Sequence, residues 1–337
     1  MNEQDRGGVL DVVVVGAGPA GLAAAIAARQ HGLSCVVLEK GTLVNSLLHY
    51  PTDMVYFTTP ELMEIGGLPF VSPYEKPTRQ ESLRYYRRVT DAFDLDVDMF
   101  EPVTGVVRRA DGTFVVSSSP ERGAPRERLA RSVVLATGAY DIPNRLGVPG
   151  EDLPHVSHYY REPYGLYRQR VVIVGGKNSA AEAALELYRS GATVTIVHRG
   201  AAFGDSIKYW VKPDIENRIA EGAIRARFRT TVTAIGVEEV VLDGPDGRST
   251  EPADAVFLLT GYRSDTTLLR AAGARIEDST GAPVHDATTF ETTVPGLYVI
   301  GAFVAGTQSG RIFIENGRFH GQVVIREIVR RLAPAVR

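Results

Sequence analysis

The chain has almost no sulfur chemistry to offer, since its 337 residues contain one cysteine, Cys35. A single thiol excludes an intramolecular disulfide, a C-x-x-C redox pair and a cysteine-built zinc site, and no metal site of another kind is expected. Cys35 falls in an apolar run that reads as a strand, where a thiol is ordinarily buried and inert. A net charge of −3, with no Lys/Arg tract, gives no reason to expect nucleic acid as a partner. Long apolar runs are missing too. The uncharged stretch Val12–Ala28 is too short, and too broken by Gly and Pro, to span a membrane. The residues before it are more acidic than basic, so neither a signal peptide nor an anchor is recognised and the cytoplasm is expected. What remains is ordinary for a globular protein, 44% hydrophobic and 23% charged, and long enough for two domains with separate cores.

Residues 11–40, DVVVVGAGPAGLAAAIAARQHGLSCVVLEK, are where the sequence is most specific. Asp11–Val15 reads as a buried parallel strand. Gly16, Gly18 and Gly21 follow at the spacing of a dinucleotide-binding turn: the first for the tight turn, the second for close approach of a pyrophosphate, the third for helix–strand packing. A helix over Ala20–Gln30 stops at Gly32, and a second strand, Ser34–Leu38, ends at Glu39. A carboxylate there can accept both hydrogen bonds of an adenosine ribose, so this unit is expected to bind FAD or NAD.

Residues 41–77 form a loop-rich insertion of the kind that is usually functional, with Thr59-Pro60 opening a short helix stopped by Gly66. Thr78 and Glu81 make a capping-box pattern ahead of a helix over Arg79–Phe93. Asp98–Val107 and Thr113–Ser117 read as strands joined at Asp111-Gly112. The charged segment Glu121–Arg131 is expected to be a solvated hairpin end. Ser132–Gly138, SVVLATG, reads as another buried strand running into a small-residue turn, and the Pro- and Gly-dense stretch after it as a domain crossing.

The opening pattern then recurs. Val171–Val174 is a strand, Gly175–Ala180 a turn, Ala181–Arg189 a helix and Thr193–Val197 the next strand. Where Glu39 stands relative to Gly16, His198 stands relative to Gly175, with Arg199 next. A ribose hydroxyl wants a carboxylate, whereas a 2′-phosphate wants a guanidinium fork, so NADPH is favoured over NADH, with Lys208 adding charge. Lys177 replaces the middle glycine of this turn, leaving helix-start amides with Asn178 and Ser179 to hold a pyrophosphate. VFLLTG, Val256–Gly261, ends this region much as SVVLATG ends the first. Near the C-terminus a strand and glycine turn, Gly296–Ala302, precede a helix over Ile312–Leu332 that carries Glu315, Asn316, Arg318 and His320; Glu315 and Arg318 have the spacing of a surface pair.

Two dinucleotide units, one inserted in the other, resemble the flavoprotein pyridine-nucleotide oxidoreductases of thioredoxin-reductase type. KGTLVNSLLHYPTDMVYFTTPELMEIGGLPF, VVIVGGKNSAAEAALEL and RIFIENGRFHG together are similar to the bacillithiol disulfide reductase (YpdA-like) family over nearly the whole chain. That resemblance implies an α/β fold of two Rossmann-like domains, with an NADPH domain over residues 148–263 inserted into an FAD domain over residues 1–147 and 264–337. It implies that Gly16, Gly18, Gly21, Glu39, Lys40, Asn45 and His49 contact FAD, that Val103 holds adenine through its backbone, and that Gly138, Gly301 and Ile312 line the remainder. Gly176, Asn178, Ser179, His198, Arg199 and Lys208 would contact NADPH. Lys177 and Gly301-Ala302 also match that family.

One position departs from it. The family's fingerprint commonly reads G-G-G-P-C-G, and the residue in the cysteine's place is Ala20. No redox cysteine of the protein is therefore expected, and the catalytic residues are left unassigned. Three functions compete: an NADPH-dependent FAD oxidoreductase acting on a low-molecular-weight disulfide such as bacillithiol disulfide, an electron-transfer reductase serving ferredoxin, flavodoxin or a quinone, and a flavin monooxygenase. PGEDLPHVSHYY resembles the monooxygenase linker, yet Asp152 and Pro154 stand where an aromatic and a glycine belong ahead of His158. The expected partner is a small-molecule disulfide or a small electron-carrier protein, and the expected assembly a homo-oligomer, a homodimer.

Overall fold

Four valines in succession have few alternatives to a sheet covered on both faces. In the computed structural model, which describes residues 8–308 and 310–333, they lie in strand β1 (Leu10–Val15), with Val12, Val13 and Val14 fully buried. Helix α1 (Pro19–Gln30) follows, then strand β2 (Cys35–Leu38). β1 runs parallel between β2 and the strand Arg126–Leu135, so that Val13 faces Val36 on one side and Val133 on the other. Arg126–Leu135 changes partner along its length. Its first half pairs antiparallel with Phe114–Ser118, and its end pairs parallel with Leu297–Val299. The C-terminal region thereby returns to a sheet that the N-terminal region began, seven strands in all.

The chain divides into two compact units. One carries the chain up to Leu48, Met54–Ile142 and Tyr262 onward; the other is His49–Asp53 with Pro143–Gly261. The second unit has its own five-stranded sheet, all parallel, in the order Arg225–Phe228, Thr193–His198, Arg170–Val174, Ala255–Leu258, Val156–Ser157. Alternation along one strand builds two cores there. Val171 and Ile173 pack with Ala180, Ala184 and Leu187 of the helix Asn178–Arg189. Val172 and Val174 pack instead with Val232, Val240 and Leu242 of a three-stranded antiparallel sheet. Among the described residues, no helix is long and apolar enough to cross a membrane.

Several local expectations hold. Thr78 and Glu81 make the capping box in full, Glu81 N–H donating to Thr78 Oγ1 and Thr78 N–H to Glu81 Oε2 at 2.8 Å. Others need correction. The charged segment is the exposed end of a hairpin only in its first part, because from Arg126 it continues as a ten-residue strand. Arg128 points inward, buried, and bonds Asp98 at 2.6 Å and Glu101 at 2.5 Å; alternation put a charge on the inner face and the carboxylates met it there. The single strand expected over 98–107 is two, Val97–Asp98 and Val103–Arg108. Between them Phe100 takes φ 55, and the buried Glu101 gives its N–H to the carbonyl of Glu39 at 2.8 Å.

The C-terminal helix is also split, into Ile314–Gly317 and His320–Leu332. Arg318 does not pair with Glu315. Its guanidinium donates to the carbonyls of Glu61 and Glu64, 2.7 Å each, and Gly321 brings the second helix so close to α1 that a Cβ there would lie 2.5 Å from the Ala24 nitrogen. In the second unit the helix starts at Asn178, earlier than Ala181, which puts Asn178 and Ser179 in its first turn.

Candidate functional site

The three glycines of the first turn are required for different reasons. Gly16 has φ 106, and a Cβ on it would come within 2.6 Å of the Ala136 carbonyl oxygen. A Cβ on Gly21 would collide with the carbonyl oxygen of Gly16. Around Gly18 there is nothing within 4 Å of where a Cβ would be. The protein closes the turn at Gly16 and Gly21 and leaves it open at Gly18, which is also the N-cap of α1. That helix starts with no side-chain cap and no acid in its first turn, so its end keeps amide donors and a positive dipole for an anion.

Glu39 closes the unit. It is buried, and its carboxylate accepts from the amides of Ala17 at 2.7 Å and Gly41 at 2.9 Å. Burial raises its pKa, against the pull of those two amides and of Lys40. Lys40 itself pairs with Asp141 at 2.7 Å. Asn45 begins a short helix and lies against Gly41, where a Cβ would meet its side-chain amide. Val103 starts the strand Val103–Arg108, opposite Ser118. Gly138, with φ 74, ends the SVVLATG turn and faces open space.

Gly301 (φ 67) is boxed in: a Cβ on it would lie 2.8 Å from the Ala20 methyl. Its N–H donates to His320 Nδ1 at 3.2 Å, so that imidazole carries its proton on Nε2. Burial, with His285 nearby, pulls the His320 pKa down to about 4 and keeps the ring neutral. Ile312 lies against Gly317, whose position in turn is close to Gly301. The turn residues, Glu39, Gly138 and Gly301 thus belong to one unit. His49 does not: it packs with the second unit, its Nδ1 3.1 Å from Arg161.

One residue the sequence reading passed over is Thr137. Its hydroxyl is buried and has no hydrogen-bond partner among the described residues, and its Cα is 3.4 Å from where a Cβ on Gly16 would lie. Buried hydroxyls are nearly always bonded, so an orphan beside the glycine turn fits a ligand that supplies the partner. Together with the openings at Gly18 and Gly138, it fits a dinucleotide. The SVVLATG motif was the signal that could have found it.

In the second unit Gly176 is required because His198 covers it; a Cβ there would collide with the imidazole. Burial lowers the His198 pKa, and the Arg199 charge lowers it further. The helix at Asn178 starts, like α1, with no side-chain cap and no acid in its first turn. Asn178 ties the following loop to that helix start, its Nδ2 donating to the Ser206 carbonyl (3.0 Å) and its Oδ1 accepting from the Lys208 amide (2.8 Å). Lys208 is thereby brought to the helix start, its ammonium 5.8 Å from the Trp210 ring centroid. Ser179 and Arg199 are exposed. One turn inside the helix, Glu182 is pushed up to about 7, by burial first and then by Glu186, with Lys208 opposing.

The lone thiol lies elsewhere. Cys35 is pushed up to about 12, by burial first and then by Asp96 and Asp11, so it is protonated at neutral pH and a poor nucleophile.

Comparison with known proteins places the chain. The family described as pyridine nucleotide-disulphide oxidoreductase matches residues 13–301. Bacilliredoxin reductase Bdr of Bacillus subtilis is 42% identical over 95% of this chain and 97% of its own length. The structure of bacillithiol disulfide reductase Bdr (YpdA) from Bacillus cereus superposes with a TM-score of 0.94 at 37% identity, covering 96% of this chain and 100% of that one. The Staphylococcus aureus protein of the same name gives 0.91 at 34% identity, covering 96% and 99%. The chain belongs to the pyridine nucleotide-disulphide oxidoreductases, and is an α/β oxidoreductase built to use a flavin and a nicotinamide nucleotide.

Proposed function

We propose that this protein is an NADPH-dependent FAD oxidoreductase that reduces a low-molecular-weight disulfide such as bacillithiol disulfide. The observation that carries the cofactor assignment is the contrast between the two strand ends, the buried carboxylate of Glu39 in one unit and His198-Arg199 in the other. The substrate follows from the relatives at 34–42% identity, which are named for bacillithiol disulfide or for bacilliredoxin. In this reading the FAD domain comprises residues 1–147 and 264–337, and the NADPH domain residues 148–263.

Bound FAD would supply the chemistry by taking a hydride from nicotinamide and passing the electron pair on, so that NADPH, a proton and one disulfide give NADP⁺ and two thiols. The chain's part is to bind and orient. Helix α1 offers its amides to the pyrophosphate of FAD through the gap at Gly18, Glu39 takes the ribose, and Thr137 donates its orphan hydroxyl. Lys40, Asn45, Val103, Gly138, Gly301 and Ile312 complete that set, and His49, which belongs to the second unit, is left out of it. The helix start at Asn178 and Ser179, with Gly176, receives the pyrophosphate of NADPH, while His198, Arg199 and Lys208 surround its 2′-phosphate. No thiol of the protein takes part, since Cys35 is held protonated and Ala20 stands where the fingerprint of the resembled family commonly has a cysteine.

That missing thiol also favours a second reading, an electron-transfer reductase serving a ferredoxin, flavodoxin or quinone. Anaerobic reduction by NADPH followed by mixing with a panel of acceptors separates the two. Flavin reoxidised by disulfides supports the first, and flavin reoxidised only by one-electron carriers supports the second. We further propose a cytoplasmic homodimer, for which light scattering in solution is the check.

A further inference from the structure

The strands Thr193–His198 and Arg225–Phe228 are parallel neighbours in exact register at their ends, His198 opposite Phe228. The next residue on each is an arginine, Arg199 and Arg229. Ligands of open parallel sheets bind beyond the carboxyl ends of the strands, and strands in register lie about 4.8 Å apart, so the two arginines leave the same edge of the sheet side by side. Two backbone hydrogen bonds hold them there: Arg229 N–H donates to the Gly200 carbonyl at 2.8 Å, and Thr230 N–H to that of His198 at 3.1 Å.

Arg229 is set apart from the arginines before it. On this strand Arg225 and Arg227 alternate onto one face, where both pair with the buried carboxylate of Glu251, at 2.7 and 3.3 Å. Continued alternation would send Arg229 the same way. Instead it takes φ 52, a conformation that residues with a Cβ rarely adopt and that is over-represented at functional positions. Arg229 is exposed, and among the described residues neither it nor Arg199 has an ion pair. A phosphate monoester carries nearly two negative charges at neutral pH, more than one guanidinium neutralises.

We propose that Arg229 is a second specificity-determining residue for the 2′-phosphate of the dinucleotide, closing on it from the strand adjacent to the one that ends in Arg199. This rests on the reading of the second unit as the NADPH site.

The test is calorimetric titration of the flavin-loaded protein with adenosine 2′,5′-bisphosphate and, as the matched control, adenosine 5′-monophosphate. Arg229→Asn removes the charge and keeps a residue that tolerates a left-handed conformation, and Arg229→Lys keeps the charge but not the fork. Arg229→Asn is expected to weaken the bisphosphate roughly tenfold and leave the monophosphate unchanged, with Arg229→Lys recovering part of the loss. An equal loss for both ligands would make Arg229 a structural residue and overturn the proposal, as would no loss for either. If Arg199→Ala abolishes discrimination while Arg229→Asn does nothing, only this proposal fails. If the unsubstituted protein binds the two ligands equally, the assignment of NADPH fails with it.

Discussion

Glu39 reaches back across the glycine turn to Ala17, accepting its amide hydrogen at 2.7 Å. That bond joins the end of β2 to the residue between Gly16 and Gly18, so the carboxylate both shapes the turn and stands where an adenosine ribose is expected. The two glycines that the protein itself needs, Gly16 and Gly21, are distinct from Gly18, around which it leaves open space.

Gly18→Val is therefore expected to leave the fold intact and abolish flavin binding, because a side chain there meets open space in the protein and blocks the pyrophosphate. Gly21→Val should instead destabilise the protein, since even its Cβ collides with the Gly16 carbonyl. Circular dichroism alongside flavin absorbance of the purified variants distinguishes them. Equal loss of fold in both would remove the case for an open site at Gly18.

Arg199→Ala should weaken NADPH far more than NADH. Loss of a charge-assisted guanidinium–phosphate contact costs about 1.5–3 kcal/mol, roughly ten- to hundredfold in affinity. An unchanged ratio of kcat/KM for the two coenzymes would make the residue structural.

Glu182 gives a pH-dependent prediction. Its carboxyl is raised from 4.5 to about 7, so the folded state holds a proton that the unfolded state has released between those values. Its favourable contribution is complete below pH 4.5 and is lost as pH rises through 7. Glu182→Gln, neutral at every pH, should be more stable than the parent at pH 8 by on the order of 1–3 kcal/mol relative to the same comparison at pH 4.5. Urea unfolding at the two pH values checks this. A difference that does not grow with pH would show that the carboxyl is not strained when charged.

Cys35→Ser should leave NADPH oxidation with any good acceptor intact, with a modest loss of stability. Alkylating reagents should not inhibit the native protein, because a thiol at about 12 presents almost no thiolate. Ala20→Cys should create alkylation sensitivity. Loss of disulfide turnover in Cys35→Ser with normal flavin reduction would make Cys35 the working thiol.

The regular parts of both units were legible because backbone physics and side-chain pattern agree there: the valine run of β1, the glycine spacing and the Thr78–Glu81 capping box. What the sequence concealed depends on partners distant along the chain. Arg128 reads as a surface charge until Asp98 and Glu101 are seen to meet it inside. Arg318 reads as a partner of Glu315 until the Glu61 and Glu64 carbonyls claim it. Arg229 carries no motif at all, and only strand register sets it beside Arg199. Thr137 belongs to a recognised motif, but its orphaned hydroxyl is a property of the packed interior.

The most direct test of the central claim is to reduce the purified protein anaerobically with NADPH, mix it with bacillithiol disulfide, and measure flavin absorbance and free thiol together. Disulfide reduction predicts prompt flavin reoxidation with two thiols formed per NADPH consumed. Flavin that stays reduced with the disulfide yet reoxidises rapidly with a ferredoxin or a quinone would contradict it.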